Sequence, residues 1–332
     1  MFDAFVTPVE LPDKFIQIDH LSPLVLMGSC FSEHIGRKLV ETKFSCDVNP
    51  FGVLYNPLSI SLALNRIMDG IPYTKSSAEL IFTDRWHSLM HHSNFSAESI
   101  DDCVALINTR LESAFESLRT AQVLFLTWGS AYVYEHCSTG MVVGNCHKLP
   151  DRDFIRRRLS VQEVVNTYMT LIERLRLFNP NLRILFTVSP IRHCRDGIHA
   201  NQLSKSILLL AIDELVRTCP ELCYYFPAYE IMMDELRDYR FYADDMLHPS
   251  TMAIKHIWKR FSECCFSPST TSLLSEWEQI NKSLNHKPFN PSSKAHKQFL
   301  TQLVLRIERL KEKYPTFDLE KELSVCRTAL ER

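Results

Sequence analysis

No apolar run in this chain approaches the roughly 20 residues a helix needs to cross a bilayer, and neither charge sign dominates. The 37 Lys and Arg stand against 39 Asp and Glu, mixed along the sequence, for a formal net charge of −2. The first lack excludes a membrane-spanning helix. The second leaves no electrostatic footprint for nucleic acid or an anionic membrane, so a neutral or modestly charged small molecule is the better-matched ligand. Residues 1–10 have neither the basic start nor the apolar stretch of a secretory signal; they carry Asp3 and Glu10 instead. Cysteine is not scarce, yet its eleven copies lack any regular spacing, and an odd number in a 332-residue chain reads as reduced thiols in a cytoplasm rather than a disulfide framework. Apolar residues make up 45% of the chain, enough to bury one large core or two.

Residues 24–36 are the stretch around which the rest is organised. Leu24, Val25, Leu26 and Met27 are too few for a helix and lie between Pro23 and Gly28, which predicts a short buried strand. Beyond the turn, Phe31, Ile35 and Leu39 recur every fourth position, with Glu33 early and Arg37 and Lys38 late, as a helix dipole prefers. Gly28 permits the turn, and Ser29 and Cys30 therefore stand at the carboxyl end of a strand beside a helix N-terminus. Exposed amides and the positive end of the dipole favour a thiolate there, so Cys30 is a candidate nucleophile, with Ser29 the alternative. A buried structural thiol is the competing reading.

Short apolar strands then alternate with longer amphipathic segments. Residues 44–48 read as a strand followed by a loop through Asn49, Pro50 and Gly52, and a helix begins at Pro57. Residues 70–100, with Trp86, His87, His91, His92 and Ser93, read as a lid-like insertion. A helix over 99–120 leads to a strand over 123–128 that ends at Gly129 and Ser130. Residues 131–148 form a hairpin excursion ending in Gly144, Asn145, Cys146 and His147. A helix over 161–178 precedes a strand over 183–188, which ends at Ser189, Arg192 and His193. A loop through Asp196, Gly197 and Asn201, an apolar helix over 203–216 and a strand near 223–226 follow. This alternation predicts βαβ units, hence a parallel sheet with helices on both faces and its post-strand loops opening on one edge. Four polar clusters meet at that edge: Ser29 with Cys30, residues 49–52, Gly129 with Ser130, and residues 189–193. An α/β domain over 1–265 and a helical extension over 266–332 are the expected divisions. In the extension a loop at Pro291 to Lys294 precedes a stripe of Phe299, Leu303, Ile307 and Leu310, which either packs on the sheet domain or serves a homodimer.

Residues 239–250 supply a base. Asp245 and His248 are three apart, so within one turn the carboxylate can hold one ring nitrogen and leave the other free, with Asp244 a competing orienter. Pro249 keeps this turn ahead of the next helix.

The strings GSCFSEHIG (28–36), NPFGVLYNP (49–57), NCHKLP (145–150), TVSPIRH (187–193) and YFPAYEIMMDELRDYRFYADDMLHP (225–249), with the segment at Asn201 to Lys205, closely resemble the GSCFA domain family, itself similar to the SGNH (GDSL-like) hydrolases. The resemblance implies a three-layer, SGNH-hydrolase-like (flavodoxin-like) parallel sheet. It also implies an esterase acting on acyl esters, O-acetylated carbohydrate among them, with no cofactor. By that likeness Cys30 stands at the nucleophile position, Gly52 after Asn49 at the second block, and Asp245 with His248 at the last. The third block departs: Ala131 follows Gly129 and Ser130 where a side-chain amide is expected, which leaves an oxyanion donor to be replaced by Asn145, beside His147, from the hairpin. Arg192 and His193 are candidates for binding a polar or anionic part of the substrate. The rival readings are a ligand-binding protein on a decayed hydrolase fold and a metal site drawn from Cys146, His147, His193, Cys194 and His248, or from His87 and His91.

Overall fold

A computed structural model of the chain describes residues 7–12, 15–286, 289–290 and 293–331. The elements run β1 (Leu24–Gly28), α1 (Cys30–Glu41), β2 (Cys46–Val48), α2 (Pro57–Asp69), β3 (Leu80–Phe82), β4 (Trp86–Ser88), α3 (Ile100–Thr120), β5 (Val123–Trp128), β6 (Tyr132–His136), β7 (Val142–Val143), β8 (Phe154–Arg158), α4 (Val161–Phe178), β9 (Arg183–Val188), α5 (Ile198–Thr218), β10 (Cys223–Tyr225), a single turn α6 (Ala228–Glu230), α7 (Thr251–Cys265), α8 (Pro268–Leu284), α9 (Lys294–Lys313) and α10 (Glu320–Glu331). Five of the strands form a wholly parallel sheet in the order β10-β9-β5-β1-β2. Counted among themselves these five follow the flavodoxin-like order.

Every residue of β1 is buried, as expected of a parallel strand covered on both faces. Its alternation divides the core. Val25 and Met27 join Leu124, Leu126 and Ile184 against α2, α3, α4 and α5, while Leu24 and Leu26 join Phe125 and Leu185 against α1 and α7. These are the three layers expected from the strand–helix alternation.

Four local expectations change. The hairpin of β6 and β7 gains a third antiparallel strand, β8, on its other edge. Its Arg156 pairs with Asp196 and lies 4.0 Å over the Tyr132 ring, and Arg157 pairs with Glu135 and Glu163. Helix α5 starts at Ile198, earlier than expected, and so takes Asn201 into its first turn. The expected lid is a docked hairpin, β3 with β4, followed by a short turn: His92 N–H donates to Phe51 O at 2.9 Å and the His91 ring stacks on Phe51 at 4.2 Å. In the C-terminal helices, Leu303, Ile307 and Leu310 are buried against α8 and α10 rather than on the sheet, while Phe299 at the start of the stripe stays exposed. The same helices dock on the end of α1, where Trp277 Nε1–H donates to Glu41 O at 3.1 Å and Lys43 pairs with Glu322 at 3.0 Å. Pro291 and Ser292 of the expected loop, and Asp3 near the start, lie outside the described residues. Among the described residues no helix is long and apolar enough to cross a membrane.

Candidate active site

The strand order reverses at β1, with β2 on one side and β5 on the other. In open parallel sheets the crevice at the carboxyl ends of such strands is where ligands bind. It is occupied here by the turn carrying Ser29 and Cys30 and by Gly129 and Ser130 after β5. A side chain at Gly28 would place its Cβ 2.2 Å from Thr127 O, and the residue holds φ +146°, so only glycine lets β1 end this close to β5. Ser29 is buried and caps α1, its Oγ accepting from Phe31 N–H at 3.3 Å while its own N–H donates to Thr127 O at 3.1 Å. Cys30 is the first residue of α1 and half-buried. Among the described residues its N–H has no acceptor, as the opening turn of a helix allows.

The loop after β2 crosses this turn. Asn49 N–H donates to Leu26 O at 2.8 Å and its Oδ1 accepts from Gly28 N–H at 2.9 Å, while its Nδ2 is buried without an acceptor among the described residues. Gly52, placed at the second block by the resemblance, has its N–H closing a turn on Asn49 O at 2.7 Å. Further along, Leu54 N–H donates to Gly28 O at 3.0 Å, and Tyr55 O accepts from both Gly129 N–H at 2.8 Å and Ser130 N–H at 2.9 Å. Gly129 eases this approach, since a Cβ there would sit tightly at 3.2 Å from Tyr55 O and 3.3 Å from Ser29 Cβ. The staple brings Tyr55 Oη to 3.4 Å from Cys30 Sγ. Burial first, and the hydrogen bond to Cys30 second, push the phenol far above its ordinary range. Sequence reasoning missed Tyr55, although it lies inside the string at 49–57.

Helix α5 holds the next two loops from beneath. Ala131 N–H donates to Ser204 Oγ at 2.8 Å, Asn201 Oδ1 accepts from His193 N–H at 3.0 Å, and Lys205 Nζ donates to Gly129 O and Ser189 O at 2.7 Å each. Lys205 is wholly buried; burial, then the Arg192 charge, pulls its pKa down to about 7. Ser130 Oγ accepts from Tyr132 N–H at 3.0 Å and stands 3.4 Å from His193 Nε2. Burial, then Lys205, lowers His193 to about 4 against the opposing pull of Asp196, so its imidazole is neutral at neutral pH. Arg192 makes no ion pair among the described residues, its Nε is buried without an acceptor, and its guanidinium lies against Tyr229.

Asp245 and His248 form their pair on an exposed turn: Asp245 Oδ2 accepts from His248 Nδ1 at 2.5 Å, and Oδ1 accepts from the Leu247 and His248 amides at 2.9 Å each. The two amides, His248 first, and then the imidazole hold the Asp245 carboxyl down at about 2. These bonds single out Asp245 over Asp244. Among the described residues no hydrogen bond joins His248 to Cys30, and His248 Nε2 has no partner. The electrostatics link His248 to α1 rather than to Cys30 itself. Burial, then Arg37, lowers the pKa of His34, one turn beyond Cys30, and His248 adds to the lowering against Glu33, which sets His248 within electrostatic reach of that helix.

Asn145 and His147 are engaged elsewhere. Asn145 N–H donates to Leu89 O at 2.9 Å and its Oδ1 accepts from His147 N–H at 2.9 Å. His147 Nε2 bonds Ser88 O at 2.8 Å and its ring stacks on His87 at 4.5 Å. This segment straps the β3–β4 hairpin, and no bond takes it to Cys30. Among the described residues no group of three His, Cys, Asp or Glu is placed to hold a metal ion, which leaves the sequence-based metal reading without a ligand set.

The GSCFA family model matches residues 23–261, and that of the GSCFA domain protein C-terminal domain matches residues 277–332. No curated protein matches the chain. Similar solved structures include a family two carbohydrate esterase from Clostridium thermocellum in complex with cellohexaose, at 14% identity and TM-score 0.35, covering 74% of this chain and 64% of that one. An acetyl xylan esterase from the rumen bacterium Butyrivibrio proteoclasticus is 9% identical with TM-score 0.36, covering 74% and 63%. A family 3 carbohydrate esterase, also from Clostridium thermocellum, is 13% identical with TM-score 0.32, covering 76% and 97%.

Proposed function

The chain belongs to the GSCFA family, and from that premise and the geometry around Cys30 we propose that it hydrolyses acyl esters, with Cys30 as nucleophile, His248 as general base and Asp245 as its orienter. The observation that carries this reading is the half-buried thiol at the sheet's switch point, on the first residue of α1, beside its own unengaged amide. Ser29 is the poorer nucleophile because its hydroxyl is buried and already caps the helix.

The thiol proton passes to His248 Nε2 as sulfur bonds the carbonyl carbon, and the carbonyl π pair moves onto oxygen, which the Cys30 N–H stabilises. Collapse re-forms the carbonyl and breaks the ester C–O bond, and His248 returns the proton to the departing alcohol. Water, activated by the same imidazole, then cleaves the thioester; another hydroxyl in its place would make the reaction acyl transfer. The Asp245 carboxylate keeps the proton on Nδ1 and leaves Nε2 as base. We assign the substrate to acylated carbohydrate, O-acetyl esters in particular, with Arg192 and neutral His193 facing its polar or anionic part. Arg192 suits that role because no carboxylate among the described residues pairs with it. The eleven unpaired thiols suit a reducing compartment such as the cytoplasm.

A panel of acyl esters, acetylated sugars included, tests this with wild type, Cys30→Ala and His248→Ala. Turnover by wild type and its loss in both variants is the expected result; wild-type rates in Cys30→Ala overturn the assignment. The unbonded separation of His248 from Cys30 favours a second reading, a binding protein on a hydrolase fold. That reading predicts ligand binding in the same crevice with no turnover of any ester.

A further inference from the structure

We infer that Tyr55 supplies the second oxyanion donor of this site, its phenol O–H taking the place of the side-chain amide absent at Ala131. The inference rests on the acyl-ester reading of Cys30 and names the group that completes it. When Cys30 Sγ bonds a carbonyl carbon, the oxygen that gathers negative charge lies about 3 Å from the sulfur, and a useful donor must sit within hydrogen-bond reach of that oxygen. Tyr55 Oη, 3.4 Å from Sγ, is on the rim of that position.

The other backbone amides at the edge are already engaged. Gly52 N–H is bonded to Asn49 O, Gly129 and Ser130 N–H to Tyr55 O, and Ala131 N–H to Ser204 Oγ. Asn145 belongs to the strap over the β3–β4 hairpin. Among the described residues that leaves Cys30 as the unengaged backbone donor; of the side-chain donors, Asn49 Nδ2 is unpaired but buried, and Tyr55 Oη is the one hydrogen-bonded to Sγ.

The backbone that carries Tyr55 is held before any substrate arrives, while the side chain itself is half exposed. The Tyr55 carbonyl is fixed by two amides after β5, the amide of Leu54 by Gly28 O, and Asn56 next to it caps α2 through Ser59 N–H at 2.8 Å. Anchoring the backbone limits how far the phenol has to move as charge develops. Burial holds the phenol in its protonated form, so it donates and keeps its proton. In the step proposed above the S–C bond forms, the π pair goes to oxygen, the thiol proton goes to His248, and the Tyr55 O–H···O⁻ bond shortens with no proton changing hands.

A phenol against a sulfur could instead act on the thiol alone. Two reactions of Cys30 separate these roles. Ester hydrolysis passes through an oxyanion; alkylation by iodoacetamide reads the thiolate and forms none. In full-length Tyr55→Phe, kcat for an activated acetyl ester should fall about 100- to 1000-fold with KM little changed, the range for loss of one such donor. Alkylation of Cys30, followed at that peptide by mass spectrometry, should change by less than tenfold and doubles as the check that the site is folded. Hydrolysis at the wild-type rate, or equal losses in both reactions, overturns the assignment. Wild type that is alkylated at Cys30 but cleaves no ester overturns the hydrolase reading itself, and Tyr55 falls with it.

Discussion

Lys205 should make the fold more stable as pH rises from 7 to 10. Its ammonium is wholly buried in α5, bonded to Gly129 O and Ser189 O at 2.7 Å each, and the low-dielectric setting, then Arg192, pulls its pKa down to about 7. In the unfolded chain the same lysine keeps its proton to about pH 10.4. Between those values the unfolded state binds more protons than the native one, so stability climbs by up to about 1.4 kcal/mol per pH unit, or about 4–5 kcal/mol in all. Below pH 7 both states are charged and this contribution is flat. Lys205→Met removes the titration but leaves two buried carbonyls short of a donor, at about 1–3 kcal/mol each. At pH 6 the relief from burying a charge offsets that loss, and the variant should lie near wild type. At pH 9.5, where the native amine is neutral and still donates, the variant should be weaker by several kcal/mol. Urea unfolding at pH 6, 7.5 and 9.5 reads the difference. Parallel pH profiles for the two proteins would refute a depressed lysine and with it the tension under the Gly129 and Ser189 loops.

Two further outcomes follow from the site. Ser29→Ala removes the cap on Phe31 N–H and should lower unfolding free energy by about 1 kcal/mol, leaving ester turnover within a few-fold; abolished turnover with Cys30 still alkylated would make Ser29 the nucleophile. Asp245→Asn should cut turnover at least about 100-fold through loss of the base's orientation. Because the wild-type carboxyl is held at about 2, it stays ionised above about pH 3, and the pH–rate profile between pH 4 and 8 should show no inflection from Asp245; one near pH 4 would mean the Asp245–His248 bonds are not formed in solution.

The sheet was legible because doubly covered parallel strands are short apolar runs, as at 123–128 and 183–188, each ending in a polar cluster at the same edge. Where the reading failed, polar side chains had a partner in the fold rather than in water. Strand β8 carries Arg156 and Arg157, which look like a solvated loop until Asp196, Glu135 and Glu163 are seen to neutralise them. Asn201 reads as a loop residue, yet it sits in the first turn of α5 because its Oδ1 takes the His193 amide.

The site divides along the same line. The Asp245–His248 bond was legible because one four-residue turn contains both groups, and the place of Cys30 because strand, glycine and helix are contiguous. Tyr55 and Lys205 were not, since each is defined by bonds to segments far away in sequence. Gly52 offered the local signature of a ligand-facing amide, but its N–H is taken by Asn49 O and the space beside it by His92, whose Cβ would lie 2.1 Å from an added side chain. An oxyanion donor is by nature a group the rest of the fold has left unengaged, and nearly every buried backbone amide is engaged. Which ones are left over emerges only after the pairings between β1, β5, the loop after β2 and α5 are all assigned. At this edge that assignment leaves the Cys30 amide and the buried Nδ2 of Asn49 unengaged, and contact with Sγ points to the Tyr55 hydroxyl, groups whose spacing in sequence carries no recognisable signal.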